Sequence, residues 1–124
     1  MLGAAVPVTN LERTLDFYTK GLGMQATPRR DAGAVTEEPL TFPGGGAYLI
    51  LLLPKTPAAA YSPPPTQRVI LDVPDLKALE SRLKSNGYQL DAPIYENPQY
   101  HYAVGHMNDP DGNHLELVQR GGGQ

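Results

Sequence analysis

With 124 residues the chain has the size of one domain, long enough to bury a real core. A formal net charge of -3 and an isoelectric point near 5.5 argue against electrostatic binding to nucleic acid or to a membrane surface. The lack of cysteine excludes a disulfide framework, a thiolate metal site and a cysteine nucleophile.

Met1–Val6 lacks the basic start and the apolar length of a secretory leader, and the longest apolar run, Ala47–Leu53, is far short of a membrane span. A soluble, cytoplasmic protein is the expectation, with no nucleic-acid and no membrane partner. The 13 glycines and 13 prolines predict many turns and short strands.

Gly3–Val8 alternates and reads as a first strand. Asn10 is placed to cap a helix over Leu11–Lys20, whose buried stripe is Leu11, Leu15 and Tyr18 with Thr14 between them. Gly21 and Gly23 end that helix, and Met24–Pro28 opens a second strand. Arg29–Glu38, polar and carrying the acidic pair Glu37-Glu38, reads as a mobile loop. Pro39–Phe42 and Ala47–Leu53 read as a hairpin about Gly44-Gly45-Gly46. Pro54–Gln67 is a proline-rich connector that neither helix nor interior strand tolerates.

The opening pattern then returns. Arg68–Val73 is a predicted strand, Asp75 a cap, Leu76–Asn86 a helix and Gly87 its stop. Tyr88–Pro93 reads as a strand, Ile94–Gln99 as a loop and His101–Met107 as a strand. Asp109-Pro110-Asp111-Gly112 has turn chemistry, because proline presets φ and glycine accepts a positive φ. In the final strand, Asn113–Gln119, Leu115 and Leu117 alternate with His114, Glu116 and Val118, which puts Glu116 on the face opposite the leucines.

Val8-Thr9-Asn10-Leu11 and Val73-Pro74-Asp75-Leu76 are the same strand-exit and cap signature, each followed by a helix, a glycine stop and three strand candidates. The expected fold is α+β: two βαβββ modules forming a cup-shaped mixed sheet with helices on the outer face. Residues 1–120 form a single domain, with module one at 1–53, the proline-rich strap at 54–67 and module two at 68–119. Residues 120–124 are a flexible tail.

Val8–Tyr18 with Gly21-Leu22-Gly23-Met24 resembles the opening of the vicinal oxygen chelate superfamily, which includes glyoxalase I, extradiol dioxygenases, fosfomycin resistance proteins and bleomycin-binding proteins. Asp109-Pro110-Asp111-Gly112-Asn113, followed by Leu115-Glu116-Leu117, resembles its closing signature. The similarity runs from about Val6 to Val118, and it specifies a fold more than a reaction.

In glyoxalase-like members a divalent ion is held by four side chains from four strands. The resemblance places the first ligand, usually histidine, at Gly3, and the second, a glutamate, at Ile50. It places the third at Arg68 and the fourth at Glu116. Gly3 has no side chain, Ile50 is apolar and Arg68 carries a permanent positive charge, so only Glu116 keeps a ligand type. No metal ligand of the family type and no cofactor is therefore expected. A divalent ion would need another set, such as His106, His114 and Glu116.

In metal-binding relatives the positions of Arg68 and Glu116 converge on one ion. Here they are expected to pair across the cup, the guanidinium in the cation's place, in a catalytic or a purely structural role. His106 stands where extradiol dioxygenases carry an active-site tyrosine. It is a candidate acid or base and equally a core histidine. His114 shares the face of Glu116 and belongs at the rim. Tyr48, Ile50, Ile70 and Val104 give the apolar lining of a small-ligand pocket, which Tyr102, Tyr95 and Tyr100 either close over or leave to pack at a subunit interface.

The resulting expectation is a glyoxalase-like protein acting on a small organic molecule, by lyase or isomerase chemistry without the family's metal. Glu116 would be its base and Arg68 its anion holder. The alternative is a bleomycin-resistance-like protein that sequesters a hydrophobic or aromatic compound. A metal-dependent dioxygenase or lactoylglutathione lyase fits the ligand losses least. The resemblance also implies a homodimer.

Overall fold

A computed structural model describes residues 3–56 and 67–121, and these fall into two compact units divided between Thr66 and Gln67. Most of the expected strap, and the tail after Gly121, lie outside the described residues.

The first unit opens with β1 (Gly3–Pro7), which runs parallel to β5 (Tyr48–Pro54). Asn10 accepts a hydrogen bond from the backbone N–H of Arg13 at 3.1 Å and so starts α1 (Leu11–Asp16). The helix widens into one π-helical turn over Phe17–Gly21, marked by the bond from Leu22 N–H to the Phe17 carbonyl. Leu11, Thr14, Phe17 and Tyr18 are buried, with the two rings edge to face at 4.9 Å. Leu15 is only half-buried. The regular 3.6-residue stripe expected through Leu15 shifts because the wider turn brings Phe17 inward. Gly23, at φ +80°, ends the helix.

Two expectations for this unit need correction. The second strand is short, β2 (Gln25–Ala26). The stretch Arg29–Glu38 is not a loop, because β3 (Arg30–Ala32) and the first half of β4 (Val35–Thr41) form a hairpin in it. Its two-residue turn starts at Gly33, φ +76°, a backbone state that glycine takes freely. Arg30 faces Glu37 in this ladder, so the polar residues that suggested a loop are cross-strand partners. The sheet runs β1-β5-β4-β2 with β3 on β4, one strand more than the βαβββ pattern. Val6, Leu49, Leu51 and Leu40 alternate onto its buried face.

The second unit is βαβββ. β6 (Arg68–Asp72) leads to α2 (Leu76–Ser85), capped by Asp75 through a 3.0 Å bond from Ala78 N–H. The first helical N–H, that of Leu76, donates to Gln119 Oε1 at 2.7 Å and ties the helix start to the last strand. Tyr88–Pro93 is not a strand. The N–H of Tyr88 returns to the Leu83 carbonyl, and Leu90 is buried. Pro93 also lacks the donor that a ladder needs. The third strand instead lies in the stretch read as a loop, as β7 (Tyr95–Asn97), and is followed by β8 (Tyr102–Asn108) and β9 (His114–Arg120).

This sheet runs β6-β9-β8-β7, with β6 parallel to β9 and the other pairs antiparallel. Its inner face carries Ala103, Met107, Leu115 and Leu117 beneath Leu76, Leu83 and Leu90, all buried. Gly105 keeps room for that layer: a Cβ there would stand 3.1 Å from Leu90 and 3.6 Å from Leu76 side-chain atoms. The described residues thus form an α+β fold, with two helices and two mixed sheets.

Candidate functional site

The geometry of the second sheet is set by the turn between β8 and β9. Asp109 is buried, and its Oδ1 accepts the backbone N–H groups of Asp111 and Asn113, each at 2.9 Å. Its Oδ2 accepts from the Asn113 side-chain amide at 2.8 Å, and Gly112 takes φ +87°. With the turn held this way, Asn108 pairs with His114 and His106 pairs with Glu116. A one-residue slip would exchange the polar and leucine faces of β9. The motif therefore acts through register.

Across the open face the rows are Ile70–Glu116–His106, Arg68–His114–Asn108 and Asp72–Val118–Val104–Tyr95. Arg68 lies diagonal to Glu116, with Nε 3.2 Å from Oε1, and His106 Nδ1 lies 3.9 Å from the same oxygen. Glu116 is 19 % exposed, whereas Arg68 and His106 are 55 % and 57 % exposed. A half-buried carboxylate is thus flanked by two basic groups open to solvent. Among the described residues the Arg68 and Glu116 side chains meet as an ion pair and not as a well-aligned hydrogen bond, so the guanidinium keeps donors for another group.

His114 is exposed and bonded through Nδ1 to Asn108 Oδ1 at 2.6 Å, which draws it away from Glu116. At the other end of the face, Tyr95 and Tyr102 stand 6.2 Å apart between ring centroids, and Asn97 bonds to both hydroxyls. Ile70, Tyr95 and Tyr100 are exposed large apolar groups of this unit, and Val104 is half-buried between the aromatic and charged ends. The face is bipartite, with a guanidinium, a carboxylate and an imidazole at one end and an aromatic platform at the other. Tyr48 and Ile50 belong to the first unit, where they lie on one face of β5, exposed and half-buried respectively.

On the same face, at its aromatic end, Arg120 donates to both oxygens of Asp72, at 3.2 and 2.7 Å. That hydrogen bonding holds the Asp72 carboxyl below its ordinary range. Asp31 is lowered likewise by Lys55 and, secondarily, by the Gly33 N–H. A carboxyl whose folded value is depressed stabilises the fold above its unfolded value, about 3.9, and that stabilisation is lost as pH falls through the folded value. The stability difference between wild type and Arg120→Leu is therefore expected to be small, flat from about pH 8 to 5, and to shrink below about pH 4. Urea titrations at several pH values measure it.

The residues at the four metal-ligand positions do not fit a divalent ion. At Gly3 an added Cβ would fall 1.9 Å from the Tyr48 carbonyl oxygen, so β1 approaches β5 too closely for any side chain. Ile50 offers no donor. Arg68 brings a cation to 3.2 Å from the one carboxylate left. Two unit charges 4 Å apart repel by about 4 kcal/mol near a protein surface, and a divalent ion would feel about twice that. Solvent around Arg68 weakens the term without changing its sign. No group of three His, Cys, Asp or Glu side chains suited to a metal occurs among the described residues.

A pair that sequence reasoning missed lies in the first unit. Glu38 is 3 % exposed on β4, and its Oε1 accepts from Arg29 Nε at 2.8 Å. Arg29 Nη2 also donates to Glu12 Oε1, at 2.6 Å. Hydrogen bonds to Glu38 and then Glu12 raise Arg29 above its already high ordinary value. The sequence held the signal: Arg29-Arg30 and Glu37-Glu38 stand as mirror images about the Gly33 turn, the pattern of a charged hairpin.

Residues 2–117 match the family model described as the Glyoxalase/Bleomycin resistance protein/Dioxygenase superfamily. The chain belongs to this superfamily. No match was found among curated protein sequences. Similar solved structures include a glyoxylase/bleomycin resistance protein/dioxygenase domain from Frankia sp. EAN1pec, with TM-score 0.80 and 20 % identity, covering 100 % of this chain and 93 % of that one. TnmS3, an antibiotic binding protein from Streptomyces sp. CB03234, has TM-score 0.73 and 26 % identity, covering 98 % and 96 %. Glyoxalase I from Zea mays has TM-score 0.78 and 24 % identity, covering 97 % of this chain but 44 % of that one. Within the superfamily this chain has an α+β fold with two mixed sheets. No helix among the described residues is long and apolar enough to cross a membrane.

Proposed function

We propose that this superfamily member binds a small aromatic molecule on the open sheet face of its second unit and holds it without transforming it. The observation that carries this reading is the pairing of the aromatic end, Tyr95 and Tyr102, with a polar end whose carboxylate is flanked by Arg68 and His106. Aromatic surface supplies the affinity, and a few convergent polar groups fix orientation. The likeness to an antibiotic-binding protein over nearly the full length of both chains supports binding over catalysis. In this reading Ile70, Val104 and Tyr102 form the platform, Arg68 donates to a carbonyl or anionic oxygen, and Glu116 accepts from a ligand hydroxyl or N–H. His114 stands at the rim.

A second reading, metal-independent lyase or isomerase chemistry, is favoured by the placement of His106 beside Glu116. A carboxylate and an imidazole 3.9 Å apart have the residue types of a base and an acid for moving a proton on a carbonyl compound that Arg68 polarises. Titration with fused-ring aromatic compounds, with and without carbonyl and hydroxyl groups, separates the two. The chain has seven tyrosines and no tryptophan, and Tyr95, Tyr100 and Tyr102 of the aromatic end contribute to its tyrosine fluorescence. Binding predicts saturable quenching and unchanged compound on chromatography after long incubation. A product formed at a rate that depends on Glu116 would establish the second reading instead. The homodimer implied by the resemblance is part of the same proposal, and sedimentation velocity at micromolar concentration measures it.

A further inference from the structure

We propose that Arg68 is the resident cation of the second unit's open face: its guanidinium keeps divalent ions off Glu116 and His106, which form a cation site once position 68 carries a ligand instead of a charge. The inference holds whether or not this face binds an organic molecule.

β6, β9 and β8 are adjacent in that order, and positions 68, 116 and 106 point from the same face of the three strands. Glu116 sits in the middle. One of its oxygens, Oε1, is approached by Arg68 Nε at 3.2 Å from one side and by His106 Nδ1 at 3.9 Å from the other. Among the described residues the carboxylate meets no other partner. A carboxylate centred between two nitrogen groups is the layout of a three-ligand oxygen–nitrogen site, and such a donor set suits zinc, cobalt or nickel. One of the two nitrogen groups is a guanidinium, which is protonated at any working pH and has no lone pair for a metal. The charge balance at the carboxylate is therefore met from within the chain.

His114 Nδ1 is engaged by Asn108 at 2.6 Å, so that ring has only its Nε2 to offer a metal. The exposure of Arg68 and His106, each above one half, means that an ion has free access. Charge, not burial, is what excludes it.

The test is equilibrium dialysis of untagged protein against Co²⁺, with the visible absorption of bound cobalt as a second readout. Wild type is expected to take up no stoichiometric Co²⁺ at about 0.1 mM, while Arg68→His takes up one ion per chain with a gain in affinity of about 100-fold or more. Arg68→Met, which removes the charge without adding a ligand, is expected to gain about tenfold, and so carries the test if Arg68→His fails to fold. Adding Glu116→Gln to either variant is expected to abolish the gain. Stoichiometric uptake by wild type that Glu116→Gln removes would overturn the proposal. So would a folded Arg68→His, judged by circular dichroism, with no more affinity than wild type.

Discussion

Arg29→Met is expected to lower the unfolding free energy by about 2–3 kcal/mol. The side chain removed is itself 44 % exposed, but the carboxylate left behind is not: Glu38 is 3 % exposed and loses the guanidinium that its Oε1 accepts from. Its Oε2 already has no hydrogen-bond partner among the described residues. Removing one partner of a buried pair costs about 3–5 kcal/mol because the other charge stays buried, and the exposure of Arg29 places this case at or below the low end. The double variant Arg29→Met/Glu38→Leu is expected to recover most of the loss, since it leaves no uncompensated charge. Urea midpoints of the single and double variants measure both effects. A single variant with wild-type stability would mean that Glu38 does not need Arg29.

Glu116→Gln is expected to weaken binding of hydroxyl- or N–H-bearing aromatic compounds by about 10- to 100-fold, the worth of one charge-assisted hydrogen bond, about 1.5–3 kcal/mol. Compounds that lack such a donor are expected to lose little, and the difference between the two groups is the diagnostic. Stability is expected to change by no more than about 1 kcal/mol, because both basic neighbours of Glu116 are more than half exposed. A loss equal for all compounds would point to a disturbed face and not to a removed contact. Tyrosine fluorescence titrations of variant and wild type provide the comparison.

Much of the fold is legible in the sequence because local chemistry and tertiary structure agree there. Asn10 and Asp75 are caps by residue type, and each accepts the third helical N–H in the structure. The alternation of Leu115 and Leu117 against His114 and Glu116 is a period-2 signal, and the structure buries the leucines and leaves the other pair on the open face. The pairing of Arg68 with Glu116 is what the resemblance implies, and the two side chains lie 3.2 Å apart.

The misreadings have physical causes. The β3–β4 hairpin is held by cross-strand charges and one glycine turn, so its residues look like a solvated loop unless Arg29-Arg30 is paired with Glu37-Glu38 about Gly33. The strand expected at Tyr88–Pro93 fails because Leu90 anchors the segment beneath Gly105, which delays pairing until Tyr95. Phe17 hides in a π-helical turn, a break in the 3.6-residue period that no stripe analysis anticipates. His106 was legible by type but not by environment: strand pairing alone places it beside Glu116, exposed and not in the core.

We propose the open face of β6, β8 and β9 as the place where this protein engages a small aromatic molecule. Backbone amide and histidine ring resonances, followed by nuclear magnetic resonance during titration with a compound selected by fluorescence, test it most directly. Saturable shifts are expected at Arg68–Asp72, Tyr102–Asn108 and His114–Arg120, with the His106 ring among the largest, and little change along α2. Shifts confined to α2 or to the first unit, with the His106 ring unmoved, would contradict it.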